Sequence, residues 1–211
     1  MDTQKSGKTP NLSAEEEHDV TKNQPPRAAV LHEIIRLQGD MELERSIAAL
    51  FWSALAAGLT MGLSLMAMGL LNSRLPDAEG FKVIASFGYC AGFLAVILAR
   101  QQLFTENTLT AVLPIMSKPT LNNFGRLFRL WSVVLIGNLM GTFLVAYVML
   151  HLPIFDTPTD EAFLEIGRKV MENDVSQMFA KGIVSGWMIA TMVWMIPSME
   201  SAKMWIIILI T

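Results

Sequence analysis

The chain has 211 residues, of which 52% are hydrophobic and only 17% are charged. Soluble proteins average about 25% charged residues, so an ordinary soluble domain, a disordered chain and a coiled coil are excluded for the chain as a whole. The net charge of −3 leaves no strongly basic domain, so we expect no nucleic-acid partner. The single cysteine, Cys90, is too few for an internal disulfide bond or a zinc cluster, and we expect no cofactor and no resident metal. A membrane protein remains.

The N-terminal part of the chain divides into two segments. Residues 1–26 have almost no large apolar side chains, which predicts a disordered cytoplasmic tail. In residues 27–45, apolar residues recur at spacings of three and four, which predicts an amphipathic helix at the membrane surface or against the bundle. An ordinary soluble helix is the alternative. The apolar positions are Val30, Leu31, Ile34, Ile35 and Leu37.

Residues 46–211 contain the predicted transmembrane domain, an all-α polytopic helical bundle. The first uncharged run exceeds the roughly 20 residues that a helix needs to cross the hydrocarbon core. The apolar stretch 109–116 is too short to cross alone. The predicted spans are 47–73, 83–99 with a broken half at 107–116, 130–150, 182–199, and the start of a fifth at 204–211.

The distribution of basic residues predicts the orientation in the membrane. The N-terminal flank and the loop before the third span are basic, whereas the other two loops are poorer in bases and richer in acids. The basic residues of the first group are Arg27, Arg36, Arg45, Lys118, Arg126 and Arg129. The positive-inside rule then puts the N-terminus in the cytoplasm. This requires residues 83–116 to cross the membrane once, so that the polar break at 101–107 lies at membrane depth.

Non-helical backbone inside a bilayer is tolerated only where protein buries it or where it lines a water-filled cavity. The ends of a broken helix can attract ions, and Thr105 adds a hydroxyl there. Leu103 and Phe104 could form an apolar constriction. Glu106 is an intramembrane carboxylate, a kind of residue that usually has a function. The alternative is an ordinary loop at the membrane edge, followed by a surface helix at 109–116.

The sequence LFTEN at 103–107, continuing as TLTAVLP, resembles the Ω-loop and following half-helix of the formate/nitrite transporter family, and within it a bacterial inner-membrane branch. The resemblance extends over about residues 27–211. It implies an aquaporin-like fold with a broken second transmembrane helix. It also implies a multi-pass protein of the inner membrane, a homo-pentamer in which each protomer has a pore for small monovalent anions. We therefore expect a channel or transporter for anions such as formate or nitrite, and not an enzyme.

The resemblance also identifies a candidate pathway. Its residues are Leu103, Phe104, Thr105, Glu106, Asn107, Tyr89 and Phe93. The first three match the family's loop, which contributes to the constriction and to anion contact. Tyr89 and Phe93 share one helical face where the family has apolar pore residues, and simple packing is the alternative. Glu106 departs from the family's usual small polar residue, and we predict that it pairs with a base such as Arg100 or points away from the pore.

The length of the chain also departs from the family. The family's central pore histidine lies further along the fifth span than Thr211, and His18, His32 and His151 all lie outside the predicted spans. The final apolar run makes about 12 Å of helix, less than half of the hydrocarbon core. We expect a fragment or a truncated product, which leaves open whether the chain transports anything by itself.

Glycine pairs four residues apart occur in all four spans and predict close helix packing within one protomer. These pairs are Gly58 and Gly62, Gly88 and Gly92, Gly137 and Gly141, and Gly182 and Gly186. In the third span, Asn138 is predicted to form an interhelical hydrogen bond rather than to bind a ligand.

Two other functions are consistent with parts of the sequence. A membrane scaffold could recruit cytoplasmic partners through residues 1–45, but it would not need a polar break at membrane depth. A copper pathway could use the thioethers of Met188, Met192, Met195 and Met199, since thioethers bind Cu(I). Core packing is the simpler explanation of such methionines, and the loops have no Met- or His-rich stretch to collect the metal.

Overall fold

The computed structural model describes residues 13–16, 26–76 and 78–211, so most of the predicted tail lies outside the described residues. The described part of the chain is α-helical, and four stretches are long and apolar enough to cross a membrane. The predicted all-α polytopic fold is therefore confirmed. From Ala28 onward the helices are α1 (Ala28–Glu44), α2 (Ile47–Arg74), α3 (Glu79–Ser86), α4 (Cys90–Leu98), α5 (Phe104–Thr110), α6 (Val112–Ser117), α7 (Leu121–His151), α8 (Thr157–Met171), α9 (Val175–Met195) and α10 (Lys203–Ile210).

Helix α1 packs against the bundle along one face. Leu31, Ile35 and Leu43 are buried, whereas Val30 and Leu37 of the predicted apolar set are exposed. At the C-terminal end of α1, the Arg129 guanidinium donates hydrogen bonds to the carbonyl oxygens of Leu43 (2.7 Å) and Arg45 (3.2 Å). A cation suits the negative end of a helix, so Arg129 fixes the point where α1 meets α7.

Helices α2 and α7 form the centre of the bundle and run parallel. A Cβ added at Gly137 would lie 2.6 Å from Cβ of Ala54, and one added at Gly141 would lie 2.8 Å from Cα of Gly58. Further along, a Cβ at Gly62 would meet the side chain of Val145. The contacts advance together along both helices, so α2 and α7 begin at the same face of the bundle.

The segment from α3 to α6 crosses the bundle once, antiparallel to α2. Gly88 lies against the backbone of Met68, and the N–H of Gly92 donates to Oγ of Ser64 (3.0 Å). Nearer the N-terminal end of α2, the N–H of Gln102 donates to Oγ of Ser53 (3.1 Å). The polar break is therefore in the interior of the crossing, as the charge distribution required.

Several helix boundaries differ from the sequence-based prediction. The broken half begins at Phe104 rather than at 107, with a turn at Ala111 between α5 and α6. Helix α7 begins at Leu121, so most of the predicted basic loop before 130 is helical. The Thr120 hydroxyl accepts a hydrogen bond from the N–H of Asn123 and caps this helix. Charge marks where a helix leaves the membrane, but capping decides where the helix begins.

Helix α9 is also shifted relative to the predicted span 182–199. It begins at Val175, because Asp174 and Gln177 form a capping box. It ends at Met195, and Pro197 lies in the 3₁₀ turn that follows. Gly182 and Gly186 have open space around them, so the packing predicted for all four glycine pairs does not occur at this pair within the described chain.

Helix α8 covers the face of the bundle opposite α1. The ring of Phe163 packs against Gly69, and the hydroxyls of Ser73 and Thr159 are 2.9 Å apart. Arg74 pairs with Asp156 at 2.6 Å. The hydrogen bond that Thr159 donates to Asp156 holds the pKa of this carboxyl below its usual value.

Candidate functional site

The break between α4 and α5 is a shaped turn rather than an open loop. Arg100 has φ of 52°, the left-handed conformation that usually requires glycine. Its N–H donates to the carbonyl of Ile97 (3.2 Å), and the N–H of Gln101 donates to the carbonyl of Val96 (3.0 Å). These two bonds are those of a Schellman motif, which ends α4 and turns the chain toward the bundle centre.

Asn138 of α7 satisfies two of the backbone groups that the break leaves without helical partners, and it also bonds to α2. Its Nδ2 donates to the carbonyl oxygens of Ala54 (2.8 Å) and Gln102 (2.9 Å), and its Oδ1 accepts from the N–H of Phe104 (2.8 Å). The residue is 9% exposed. One buried amide therefore joins α2, the break and the first residue of α5, as expected for an interhelical hydrogen bond.

A second chain of hydrogen bonds connects the break to α1. Nε2 of Gln102 donates to the Glu42 carboxylate (2.8 Å), and Oε1 of Gln102 accepts from Nδ2 of Asn107 (2.9 Å). Glu42 also pairs with Arg45 at 3.1 Å. Both amides are buried, so buried hydrogen bonds link the amphipathic helix to the broken helix.

A cavity of about 350 Å³ lies beside this network, on the side of the bundle where α1 packs. Its lining comes from α1, the break, α5, and the turn between α9 and α10. The polar lining residues are Gln38, Glu42, Arg100, Gln101, Gln102, Glu106, Asn107, Thr110, Glu200 and Lys203. Oε1 of Gln101 is buried without a hydrogen-bond partner, so the cavity presents at least one unused acceptor at the break.

The charged groups of the cavity are three carboxylates and two bases, a formal charge of −1. Glu106 is partly buried, and no basic side chain of the described chain forms an ion pair with it within 4.0 Å. Of the two predicted arrangements, the ion pair with Arg100 is therefore absent, and a side chain that points away from the pore stays a prediction. Lys203 attracts the Glu106 carboxylate across the cavity and Glu42 repels it.

A second cavity, of about 650 Å³, lies at the opposite face between the end of α2, α3 and α8. It is larger, but its lining does not include the break. Its charged residues, such as Glu165 and Lys169, are largely exposed and pair with each other at 2.5 Å. The cavity at the break is the better candidate, because it brings interior polar backbone and charged side chains together.

A family model described as formate/nitrite transporter matches residues 29–211 of the chain. The chain belongs to the formate/nitrite transporter family. The inner membrane protein YfdC of Escherichia coli (strain K12) is 54% identical over 187 residues, which are 89% of this chain and 60% of YfdC. The resemblance drawn from the LFTEN loop is confirmed, including its narrower form, a likeness to YfdC-type proteins. The chain spans about 60% of the length of this relative, and the family is one of transporters rather than enzymes.

The residues of the family's loop separate to opposite sides of α5. Leu103 is buried in the apolar cluster that also contains Phe93 and Ile207. Phe104 packs against the other cluster, around α2 and α7, with its ring 6.2 Å from that of Trp131. Thr105 is exposed and its side chain does not line the cavity. Two neighbouring apolar residues therefore tie the half-helix to both parts of the core.

Of the seven predicted pathway residues, Glu106 and Asn107 line the cavity. Tyr89 and Phe93 lie on the far side of the break, with ring centroids 5.4 Å apart. Phe93 is 6% exposed and Tyr89 is 43% exposed, so the pair extends from the core to the surface. The arrangement places Leu103 and Phe93 in one apolar cluster between the cavity and Tyr89.

The four methionines proposed for a copper pathway, three on α9 and one beyond its end, differ widely in their surroundings. Met192 is buried in the core, and Met195 packs against the same cluster. Met188 and Met199 are 41% and 48% exposed. Two of the four therefore fill the core, as methionine ordinarily does.

Sequence reasoning did not assign Glu42, Gln102 or Lys203 to the site. Glu42 appeared to be an ordinary polar residue of an amphipathic helix, and Lys203 appeared only as a charge before an apolar run. The available signal was position: Glu42 and Lys203 each lie at the end of a predicted helical segment, where a long charged side chain can extend along apolar surface while its charged group stays in a polar environment.

Proposed function

We propose that this chain forms the path of a formate/nitrite-type transporter for small monovalent anions in a bacterial inner membrane. Family membership supports transport of this class, and the name of the relative YfdC supports the inner membrane. The observation that carries the proposal is the break at the inner end of a charged cavity, where Asn138 hydrogen-bonds the backbone of Gln102 and Phe104. A scaffold has no use for such a break.

The path runs from the cavity past the break. An anion enters beside Lys203 and Arg100, passes Glu106 and Asn107, and reaches the apolar cluster of Leu103 and Phe93. A full charge is costly among apolar side chains, so this cluster is the main barrier. Phe104 and Thr105 do not line this cavity, so on the proposed path the constriction is formed by Leu103 and Phe93, and Tyr89 lies beyond the barrier.

The proposal includes a homo-pentamer with the N-terminus in the cytoplasm. Long apolar faces of α7 and α9 are exposed in a single protomer, where Phe143 is 69% and Trp187 is 71% exposed. Such faces suit contact with lipid or with neighbouring protomers. The basic residues around α1 and the start of α7 support the cytoplasmic orientation of that end.

Blocking the cavity tests the path. In a Cys90→Ser background, the Gln101→Cys variant is reconstituted in liposomes and radiolabelled formate uptake is measured before and after a charged methanethiosulfonate reagent. Because Gln101 lines the cavity at the break, we expect modification to reduce uptake to a small fraction of its initial rate. Thr108→Cys is the control, since Thr108 is exposed outside the cavity and its modification should leave uptake unchanged.

Two results contradict the proposal. Formate uptake no greater than that of protein-free liposomes would refute anion transport by this chain. Uptake that survives full modification at position 101 would mean that the anion does not pass the cavity.

A further inference from the structure

The carboxylate of Glu106 is an unusual group in a cavity that admits anions. It lies on α5, one turn from the break, and several elements around the cavity contribute charged residues that face it. These charged neighbours are Glu42 from α1, Arg100 from the break, and Glu200 and Lys203 from the turn into α10. Helix α9 contributes only apolar Val193 to the lining.

The other charges of the cavity do not neutralise Glu106. Glu42 is already held by Arg45 and Gln102. Arg100 and Glu200 are both exposed, so water screens them. Lys203 is partly buried and attracts Glu106, but the two side chains are not within the 4.0 Å of an ion pair. The cavity therefore keeps one base and one carboxylate facing the same space.

We infer that Glu106 is the specificity-determining residue of this cavity: as a carboxylate it repels monovalent anions from Lys203, and as a neutral acid it admits them. This inference rests on the proposed function. With Glu106 ionised the cavity has a formal charge of −1, and with Glu106 neutral the charge is zero. Anion entry from this face then rises as the pH on the same face falls.

The mechanism needs no new bond. A proton from the aqueous face adds to the Glu106 carboxylate, and the anion then occupies the space beside the Lys203 ammonium. Either the anion passes the break and the proton returns from Glu106 to the same face, or Glu106 gives its proton to the anion in the cavity and the anion leaves as a neutral acid. Either route keeps charge balanced in the cavity, and the second carries the anion through the apolar cluster without its charge.

The test compares formate influx into liposomes that contain the wild-type chain or Glu106→Gln, at neutral and at acidic pH. Removing the negative charge of Glu106 from the cavity that also contains Lys203 should lower the KM for formate at neutral pH by about tenfold. The variant should also lose the rise in influx at acidic pH that we expect of the wild type. Glu106→Asp keeps the charge and should behave as the wild type does.

Two controls separate charge from structure. Urea is a neutral, planar solute of similar size, so its flux should be equal in the wild type and Glu106→Gln. Glu33→Gln removes a carboxylate from the exposed side of α1, where Arg36 binds it, and should leave the KM unchanged.

Equal KM values for formate in the wild type and Glu106→Gln would overturn the inference while formate transport itself stands. A parallel increase in urea flux would also overturn it, because the substitution would then have widened the path. If neither protein carries formate at any pH, the proposed function fails together with the inference. If Glu106→Gln does not fold, Lys203→Gln gives the reciprocal test: its KM should rise about tenfold, and an unchanged KM would overturn the inference.

Discussion

Asn138 has the largest structural role of any single side chain at the break. A broken helix inside a membrane leaves backbone groups that lipid cannot satisfy, and each costs free energy unless it is paired. Asn138 pairs two of them, the carbonyl of Gln102 at the break and the N–H of Phe104 on α5, and it also donates to the carbonyl of Ala54 on α2. The half-helix consequently begins at Phe104 and not further along, because the N–H of Phe104 has an acceptor there.

Replacing Asn138 with leucine should destabilise the protein by about 2 kcal/mol, because the N–H of Phe104 and the carbonyl of Gln102 would be left buried without partners. Thermal unfolding in detergent would measure the loss. Asn122→Leu makes the same substitution at an exposed position of the same helix and should have little effect. An equal effect of both substitutions would show that the three bonds contribute nothing specific.

The sequence anticipated some of these residues and not others. Asn138 was predictable, since a lone amide in an apolar span needs a partner on another helix. The left-handed turn at Arg100 was not, because that conformation ordinarily implies glycine and no glycine is present. The absence of a Glu106–Arg100 ion pair was equally unpredictable, because side-chain direction after such a turn depends on dihedral angles that residue spacing does not encode.

At the level of helices, the spacing of glycines predicted helix–helix contacts better than the positions of charged residues predicted the helix boundaries. The α2–α7 contact brings backbones together at Gly58 and Gly141, where any side chain would collide with main-chain atoms. The open surroundings of Gly182 and Gly186 show the limit of the pattern. The spacing of glycines reveals that a helix face consists of small residues, but which helix packs against that face depends on the tertiary arrangement.

Gly141→Ala should therefore destabilise the bundle by about 1–3 kcal/mol, because the added methyl group would meet the backbone of Leu55 and Leu59 on α2. The measurement is again unfolding in detergent. Gly125→Ala on the same helix is the matched control: nothing lies within 4 Å of its added Cβ, so stability should stay the same or increase slightly. A neutral Gly141→Ala would mean that α2 and α7 separate without cost.

At the level of the whole molecule, the fold decides which elements share a face of the bundle, and the charge pattern supports the proposal that the face with α1 meets the cytoplasm. Helices α2 and α7 run parallel, so the end of α1, the break-side cavity and the start of α7 share one face. Helix α8 and the start of α9 share the other, through the contacts of Phe163 and Asp156 with the end of α2. Sequence alone predicted this arrangement from loop charges, but the parallel contact of α2 and α7 gives it an independent geometric basis.

Single-cysteine labelling tests the arrangement and its consequence for transport. The experiment uses spheroplasts, bacterial cells without their outer membrane, and a Cys90→Ser background. A membrane-impermeant maleimide should label Glu172→Cys directly. It should label Asn122→Cys only after permeabilisation, because both native residues are exposed but lie at opposite faces. The reverse pattern would put α1 and the cavity outside, and Glu106 would then respond to external pH. Labelling of both positions from one side would contradict the single crossing of α7, and with it the parallel pair on which the site is built.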